Sequence, residues 1–289
     1  MPEIVPCGLC GSPDATFEPR LTRLTGMPEP YRVQRCLRCG FVYESPRPTR
    51  EELVPLYHSD PYWQTRRKAP RPHRRRFDAA RFARLERWTG GPGSLLAVAC
   101  LDGGYVIENA RLRGWETLGV EFVEGALEHT VEVGVPVVRS PLWDLDVVDG
   151  RFDAVHTLSL EHVPDVPLTL RQIREHLRPG GFFVVEAPNQ FEAIKEVAKA
   201  ALIGIVGDRL LDHVYNEANQ TFHLSFFTPR TLRSAVEGAG FEVLEMRTYM
   251  PWNPVYHFNT RFRVSKELVY LLGGFVGRGP STELIARAP

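Results

Sequence analysis

The sequence lacks an excess of charge of either sign. Its 35 lysines and arginines balance 35 aspartates and glutamates over 289 residues, so the overall charge does not indicate a nucleic acid or another strongly anionic partner. Any electrostatic attraction must come from a local cluster of residues. We therefore expect no nucleic-acid partner.

Long apolar segments are also missing. The longest apolar runs, 200–207 and 268–277, hold about eight to ten residues, whereas a membrane-spanning helix needs about 20. The first residues, MPEIVPCGLC, have neither the basic nor the apolar region of a secretory signal. These absences predict a cytoplasmic protein with no membrane partner. Neither a heptad nor an internal repeat indicates an oligomeric state.

Cysteine is scarce, but four of the five cysteines stand in two CxxC pairs. Cys7 and Cys10 form CGLC, Cys36 and Cys39 form CLRC, and a glycine follows each pair. Two residues between cysteines let both thiolates reach one ion, and four thiolates complete a tetrahedral site with no open position. We predict a zinc ribbon with a structural zinc; the alternatives are two disulfides or a redox CxxC.

Basic residues are concentrated in one segment. Between Arg66 and Trp88, ten of 23 residues are lysine or arginine, and Phe77, Arg81, Leu85 and Trp88 recur with helical spacing. This spacing predicts an amphipathic helix that covers the next domain and leaves its arginines in solvent. The alternative is a basic rim that meets a small-molecule substrate bearing a phosphate or tethered to a carrier.

The pattern divides the chain into three parts. We predict a zinc-ribbon domain at 1–60, a basic linker and covering helix at 61–93, and an α/β domain at 94–289. Within the first part, Thr49 is predicted to cap a short helix that runs from Glu51 onward.

From Ser94 onward, short apolar segments alternate with segments of helical length. The predicted strands are LLAVAC, TLGVE, VPVV, FDAVHTLS and FFVVEAP, the last preceded by a PGG turn, and FEVLEMR and TELIARA follow a later helix. Helices of this length between strands imply right-handed crossovers and helices on both faces of a parallel sheet. The prediction is a doubly wound, mostly parallel seven-stranded α/β sheet that ends in an antiparallel hairpin.

Several of these segments together resemble a known family. They are the double CxxC followed by SPRPT, the glycines at 103 and 104, GVE, FDAVHTLSLEHVPD, LRPGGFFVVEAPN, HLSFFTPRTL, AGFEV and the final ARAP. In this order they resemble class I S-adenosylmethionine-dependent methyltransferases with an N-terminal zinc ribbon. The resemblance implies a methyltransferase-like Rossmann fold, S-adenosylmethionine as cofactor and a small-molecule substrate in bacterial secondary metabolism.

The resemblance is weakest at the cofactor loop. In the family that the sequence resembles, the first strand and loop carry an acid followed by V-G-C-G-x-G. Here Ala97 stands in place of the acid, and Ala99 and Leu101 stand in place of two of the glycines. A branched Leu101 stands where the backbone should pass close to the cofactor. The departure supports an alternative function, in which the fold has lost S-adenosylmethionine binding and acts as a non-methylating enzyme or a non-catalytic partner.

The resemblance still implies a set of cofactor contacts. Glu121 matches the acid that binds the ribose hydroxyls. Where the family places an acid for the adenine amino group, the chain reads Ser140, Pro141 and Leu142, with Asp144 nearby as a substitute. The implied cofactor-binding residues are Ala97, Ala99, Asp102, Gly103, Gly104, Glu121, Phe122 and Leu142.

Candidate catalytic residues come from two places. Glu161 and His162 follow the strand HTLSL, at the carboxyl edge where open α/β sheets bind ligands. His162 is predicted either to take a proton from the acceptor or to shape the cofactor pocket. A helical lid predicted at about 191–227 contributes Tyr215 and His223, which are predicted either to orient the substrate and supply a base or to anchor the lid.

Overall fold

The structure of the chain is a computed structural model. It describes residues 2–19, 21–22, 29–59, 72–99, 105–124, 127, 134–189, 223–249, 279 and 281–289. The chain divides into two compact units, each described below by itself. The first consists of Met1–Pro48, Ala187–Leu232 and Met246–Glu283, and the second of Thr49–Glu186, Arg233–Glu245 and Leu284–Pro289.

The described residues form strands and helices in the following order. The strands are β1 (Ala15–Phe17), β2 (Val33–Cys36), β3 (Val42–Glu44), β4 (Ser94–Val98), β5 (Glu116–Glu121), β6 (Val137–Arg139), β7 (Phe152–Thr157), β8 (Leu177–Pro188), β9 (Ser225–Phe226), β10 (Glu242–Tyr249) and β11 (Ser281–Arg287). The helices are α1 (Arg50–Ser59), α2 (Pro72–Thr89), α3 (Tyr105–Leu112), α4 (Val166–Glu175) and α5 (Pro229–Gly238), with a 3₁₀ turn at Leu160–His162.

The first unit contains a four-stranded antiparallel sheet in the order β1-β2-β3-β9. One apolar cluster supports it, made of Leu21, Val33, Val42 and Phe226. The fourth strand, β9, pairs Phe226 with Val42. It comes from a segment that the sequence pattern places in a helical lid, and a two-residue strand is too short to show an alternating pattern. Residues 190–222 of the predicted lid lie outside the described residues.

The second unit contains most of a seven-stranded sheet in the order β10-β11-β8-β7-β4-β5-β6. The pairs β4–β5, β4–β7, β5–β6 and β7–β8 are parallel, which confirms the predicted doubly wound sheet. Ion pairs join Arg287 to Glu242 and Arg247 to Glu283, so β10 and β11 run in opposite directions, as the predicted hairpin requires. The carboxyl ends of β4, β5 and β7 therefore lie at one edge.

Helix α2 confirms the predicted covering helix but corrects its buried face. Phe82 and Leu85 are fully buried and pack in one cluster with Leu95 of β4, whereas Trp88 is 44% exposed. Arg81, which we expected in solvent, is only 2% exposed. Carboxylates within the unit compensate the charge of the buried Arg81.

Strand β8 is longer than predicted. The sequence pattern places a turn at Pro179–Gly181, but β8 runs through these residues, and its register against β7 shifts between Phe152 and Ala154. The N–H of Gly180 donates to the carbonyl of Pro289, and the N–H of Ala288 donates to the carbonyl of Gly181. Pairing with the last residues of the chain thus extends the strand, and a local pattern cannot reveal such a partner.

A predicted helix cap and two further predicted helices agree closely with the structure. Helix α1 begins with a capping box, because the Thr49 hydroxyl accepts from the Glu52 N–H and the Glu52 carboxylate accepts from the Thr49 N–H. The predicted helix before β5 is α3, and the one before β10 is α5. Within the described ranges, every helix is too short or too polar to cross a bilayer.

Candidate functional site

The four predicted zinc ligands lie together in the first unit. The sulfur atoms of Cys7, Cys10, Cys36 and Cys39 are all within 4.8 Å of one another, with 3.5 Å between Cys7 and Cys39 and 3.5 Å between Cys10 and Cys36. All four are free thiols, because a disulfide would bring two sulfurs to about 2.05 Å. Four zinc–sulfur bonds of about 2.3 Å place sulfurs about 3.8 Å apart, so the cluster fits zinc.

The two cysteine turns have the same backbone geometry. The N–H of Gly11 donates to the carbonyl of Cys7, and that of Gly40 donates to the carbonyl of Cys36. Both glycines have a left-handed backbone, with φ of 70° and 76°, which residues with a side chain rarely adopt. The glycine after each CxxC pair therefore completes the turn that aims both sulfurs at one point.

The local environment differs among the thiols. Burial raises the pKa of Cys7 and of Cys39. Burial also acts on Cys36, but the N–H groups of Cys39 and Arg38 and the Cys10 thiol outweigh it and lower the pKa of Cys36 to about 7. The cysteine turns thus contain amides that stabilise a thiolate, the form that binds a metal.

The start of the cofactor loop keeps a backbone conformation typical of glycine. Ala99 has φ of 54°, a left-handed conformation that costs alanine about 1 kcal/mol or more. The family pattern that the sequence resembles has glycine at this position, and Ala99 adopts a backbone conformation that favours glycine. Leu101, Asp102, Gly103 and Gly104 lie outside the described residues, and their roles stay predictions.

Ala97, which stands where the family pattern has an acid, is part of the apolar core. It is 1% exposed in β4 and packs with Ile107 of α3 and with Val135. No charged side chain could replace it here without losing hydration. Its predicted contact with the cofactor stays a prediction.

Glu121 ends β5 at the carboxyl edge and is 1% exposed. Its Oε1 accepts hydrogen bonds from the backbone N–H groups of Phe122, at 2.7 Å, and Val123, at 2.8 Å. These bonds fix the orientation of the carboxylate, which makes it a suitable acceptor for a pair of hydroxyl groups.

The segment after β6 forms a compact turn next to Glu121. The N–H of Ser140 donates to the Glu121 carbonyl, the Ser140 hydroxyl donates to the Asp144 carbonyl, and the Asp144 N–H donates to the Pro141 carbonyl. Leu142 is 3% exposed, while the Asp144 side chain faces solvent. Leu142 thus lies in a turn that a hydrogen bond from Ser140 joins to Glu121, and its predicted contact with the cofactor stays a prediction.

His162 lies in the 3₁₀ turn after β7 and has a partner that the sequence did not indicate. The Tyr57 hydroxyl of helix α1 and the His162 Nδ1 are 2.8 Å apart, and both side chains are buried. The His162 Nε2 is 3.7 Å from Oε1 of Glu161, which is also buried. Only the folded chain brings residues 105 positions apart into contact, so spacing along the sequence could not reveal Tyr57.

Aromatic rings connect this group to the predicted cofactor residues. The Tyr57 ring lies 5.8 Å from His162, 5.4 Å from Phe122 and 6.3 Å from Trp143, and the Phe122 and Trp143 rings are 5.6 Å apart. Tyr57 therefore contacts both the predicted base and a residue directly after Glu121. The predicted cofactor end and the predicted base lie at one edge of this unit.

Of the two remaining predicted catalytic residues, His223 and Tyr215, the structure describes only His223. His223 is half-buried in the first unit, with its ring 6.3 Å from that of Phe226. Its predicted role as a base or an anchor stays a prediction. Tyr215 lies outside the described residues.

Sequence reasoning also missed a buried ionic group at the same edge. Arg81 donates to Asp78, at 2.7 Å, and to Glu186 at the end of β8, and Asn109 of α3 lies 3.5 Å from Asp78. The spacing of Asp78 and Arg81, one helical turn apart, was the available signal. The two carboxylates compensate the arginine charge in the unit's interior.

Comparison with known proteins identifies the family. Residues 70–246, more than half of the chain, match the family described as "Methyltransferase domain". The ubiquinone biosynthesis O-methyltransferase of Saccharophagus degradans is 28% identical over 177 residues, which cover 58% of this chain and 72% of that protein. The protein of the same name from Azorhizobium caulinodans is 30% identical over 161 residues, which cover 53% and 60%.

A solved structure shows the same fold. A SAM-dependent methyltransferase from Archaeoglobus fulgidus superposes with a TM-score of 0.50 at 18% identity, covering 74% of this chain and 94% of that one. The seven-stranded sheet thus has the fold of class I methyltransferases. The chain belongs to the methyltransferase domain family.

Proposed function

We propose that this protein transfers a methyl group from S-adenosylmethionine to an oxygen of a small molecule, and that its four-cysteine cluster holds a structural zinc. One observation carries the methyl-transfer proposal. Tyr57 contacts His162 and Phe122 at once, so the candidate base and the candidate cofactor acid Glu121 lie at the same edge of a methyltransferase sheet.

The residues divide the chemistry between them. S-adenosylmethionine supplies a methyl group on a positively charged sulfur. Glu121, with Oε1 held by two amides, is oriented to accept hydrogen bonds from the ribose diol. His162 takes the proton from the acceptor hydroxyl as its oxygen attacks the methyl group. Much of the rate enhancement then comes from holding oxygen and methyl in line.

The relatives support oxygen as the acceptor atom. The curated proteins that match this chain at 28% and 30% identity are named O-methyltransferases. A buried histidine at this edge suits a hydroxyl acceptor, because a neutral imidazole can take up the proton that the hydroxyl loses. We propose a small hydroxylated compound of bacterial secondary metabolism as the substrate.

A second candidate function has its own support. Ala97 lies in an apolar cluster with Ile107 and Val135, so the acid that orients the amino acid end of the cofactor in the family is replaced by core packing. In this alternative, the fold no longer binds the methyl donor, and the pocket holds another ligand or has no catalytic role.

Calorimetric titration with S-adenosylmethionine and S-adenosylhomocysteine separates the two candidates. We expect micromolar binding to the native chain. No binding to the native chain, together with binding to a Leu101→Gly variant, would show a closed donor site and favour the alternative. An acceptor panel of phenols, amines and sugars, analysed by mass for a single added methyl, then tests the acceptor atom.

A matched pair of variants tests the role of Glu121. Glu121→Gln keeps the shape of the side chain but removes the charge that strengthens hydrogen bonds to a diol, so we expect at least about tenfold weaker S-adenosylhomocysteine binding. Glu124→Gln is the control, because Glu124 is exposed and pairs with Arg139 on the surface. Equal affinities for the two variants would remove Glu121 from the cofactor site.

A further inference from the structure

The position of Tyr57 is set by the helix that carries it. The capping box of Thr49 and Glu52 fixes the start of α1, and Leu53 and Tyr57, one turn apart, are 0% and 1% exposed. Phe122 meets the Tyr57 ring edge-on, and Trp143 packs against it. The hydroxyl of Tyr57 is therefore held in place by packing on several sides.

The hydroxyl meets one defined atom of His162. A distance of 2.8 Å to Nδ1 is that of a good hydrogen bond between buried groups. In neutral histidine one ring nitrogen carries the proton and the other accepts one, and the partner of each nitrogen decides which is which. A tyrosine hydroxyl can donate or accept, so Tyr57 is placed to hold His162 in one tautomer, with Nδ1 protonated when the Tyr57 oxygen accepts.

Glu161 lies near the other nitrogen. Its Oε1 is 3.7 Å from Nε2, too far for a hydrogen bond but close enough for a strong charge interaction in a buried site. A carboxylate at this distance gains most when Nε2 takes up a proton and the ring becomes an imidazolium.

We propose that Tyr57 is a positioning residue for the base: its oxygen accepts the Nδ1–H of His162, so the lone pair of Nε2 faces the acceptor hydroxyl. This inference rests on the proposed function. In the reaction the acceptor O–H bond breaks and its proton moves to Nε2. A new O–CH₃ bond forms, and the carbon–sulfur bond of the donor breaks with its electron pair left on sulfur. Glu161 stabilises the resulting imidazolium, which later releases its proton to water.

The test uses the full-length protein and a variant that preserves the ring. Tyr57→Phe removes only the hydroxyl, so packing against Phe122 and Trp143 persists and the fold is checked by its thermal melt. Nitrogen NMR of the native protein labelled in histidine is expected to show His162 as the Nδ1–H tautomer. Tyr57→Phe is expected to shift the signal toward Nε2–H and to lower kcat about tenfold or more, with KM unchanged within twofold.

Tyr249→Phe is the matched control, because it also removes one tyrosine hydroxyl. The ring of Tyr249 packs against Arg247, whereas that of Tyr57 packs against His162 and Phe122. The control variant is expected to leave the His162 spectrum unchanged. An Nε2–H tautomer in the native protein overturns the inference whether or not the enzyme is active. The same holds if Tyr57→Phe leaves both spectrum and kcat unchanged. Absence of methyl transfer by a native protein with the Nδ1–H tautomer contradicts the proposed function alone.

Discussion

The Nη2 of Arg230 donates a hydrogen bond to the carbonyl oxygen of Cys39 at 3.0 Å, across 191 positions of sequence. Arg230 lies in the first turn of α5, so this bond joins the second cysteine turn to the segment that follows β9. Strand β9 also pairs with β3, and Phe227 packs against Phe41 at 5.4 Å. Within the first unit, the cysteine cluster and residues 223–230 are therefore mechanically linked.

Metal removal should affect both the cysteine cluster and residues 223–230 of the first unit. We expect one zinc per chain, and chelation should unfold the N-terminal ribbon without unfolding the α/β sheet. Because β9 completes the ribbon sheet, chelation should also speed amide hydrogen exchange in residues 223–228, a segment that includes His223. Metal analysis and hydrogen exchange read by mass spectrometry make the measurement.

Arg230→Ala isolates the link from the metal itself. We expect the variant to retain zinc and to show faster exchange at 223–228, while Arg233→Ala, an exposed residue paired with Glu237, should match the native protein. A zinc-free native protein would contradict the ribbon assignment, and unchanged exchange in Arg230→Ala would contradict the link.

Glu44 should make the stability of the first unit depend on pH. Its side chain is 1% exposed, and among the residues that the structure describes none donates a hydrogen bond to either carboxylate oxygen. Burial raises the pKa of Glu44 from 4.5 to about 8, against the opposing effect of Arg47. Since the folded pKa is the higher one, the stabilisation is complete below pH 4.5 and is lost as the pH rises through about 8.

Thermal melts between pH 5 and pH 9 test this expectation. The native protein should lose stability across this range. The loss is at most about 1.4 kcal/mol for each pKa unit that separates folded and unfolded Glu44. Glu44→Gln resembles the protonated acid and should flatten the curve, whereas Glu29→Gln, on the surface, should not. Parallel curves for the native protein and Glu44→Gln would show that Glu44 is not the titrating group.

The backbone conformation of Ala99 predicts opposite effects on the free energy of unfolding for two substitutions at this position. Its left-handed backbone, with φ of 54°, suits glycine, so Ala99→Gly should leave stability unchanged or raise it by up to about 1 kcal/mol after the entropy of the unfolded chain is counted. Ala99→Val adds a branched side chain to the same backbone and should cost about 2 kcal/mol or more. Urea unfolding measures both, and equal stability of the two variants would exclude a left-handed Ala99.

Arg81 should be the most sensitive arginine of helix α2. Arg81→Met removes the positive charge between the buried Asp78 and the partly buried Glu186 and leaves both carboxylates without it, so we expect a loss of about 3–5 kcal/mol. Arg87→Met is the control, because Arg87 is 64% exposed and 4.0 Å from Glu245, and its loss should change stability by about 0.5 kcal/mol or less. Similar unfolding free energies for both variants would contradict a buried ionic role for Arg81.

The features that the sequence alone determined are periodic or local. The alternation of apolar segments and crossover helices set the parallel sheet, because a buried strand and its crossover leave their pattern in consecutive residues. The CxxC pairs and their glycines predicted the cysteine cluster for the same reason. Glu121 and His162 could be placed at the carboxyl edge because Glu121 ends a strand and His162 lies a few residues after one.

Tertiary structure decided the contacts between residues far apart in the chain. Tyr57 contacts His162 across 105 positions, and Arg81 contacts Glu186 across 105 positions. Nothing in the residues around Tyr57 distinguishes it from an ordinary core tyrosine, and the spacing of Asp78 and Arg81 does not indicate Glu186. Strand β9 is similarly defined only by its partner β3. The physical reason is that a buried polar group is stable only beside a specific partner, and only the folded chain supplies that partner.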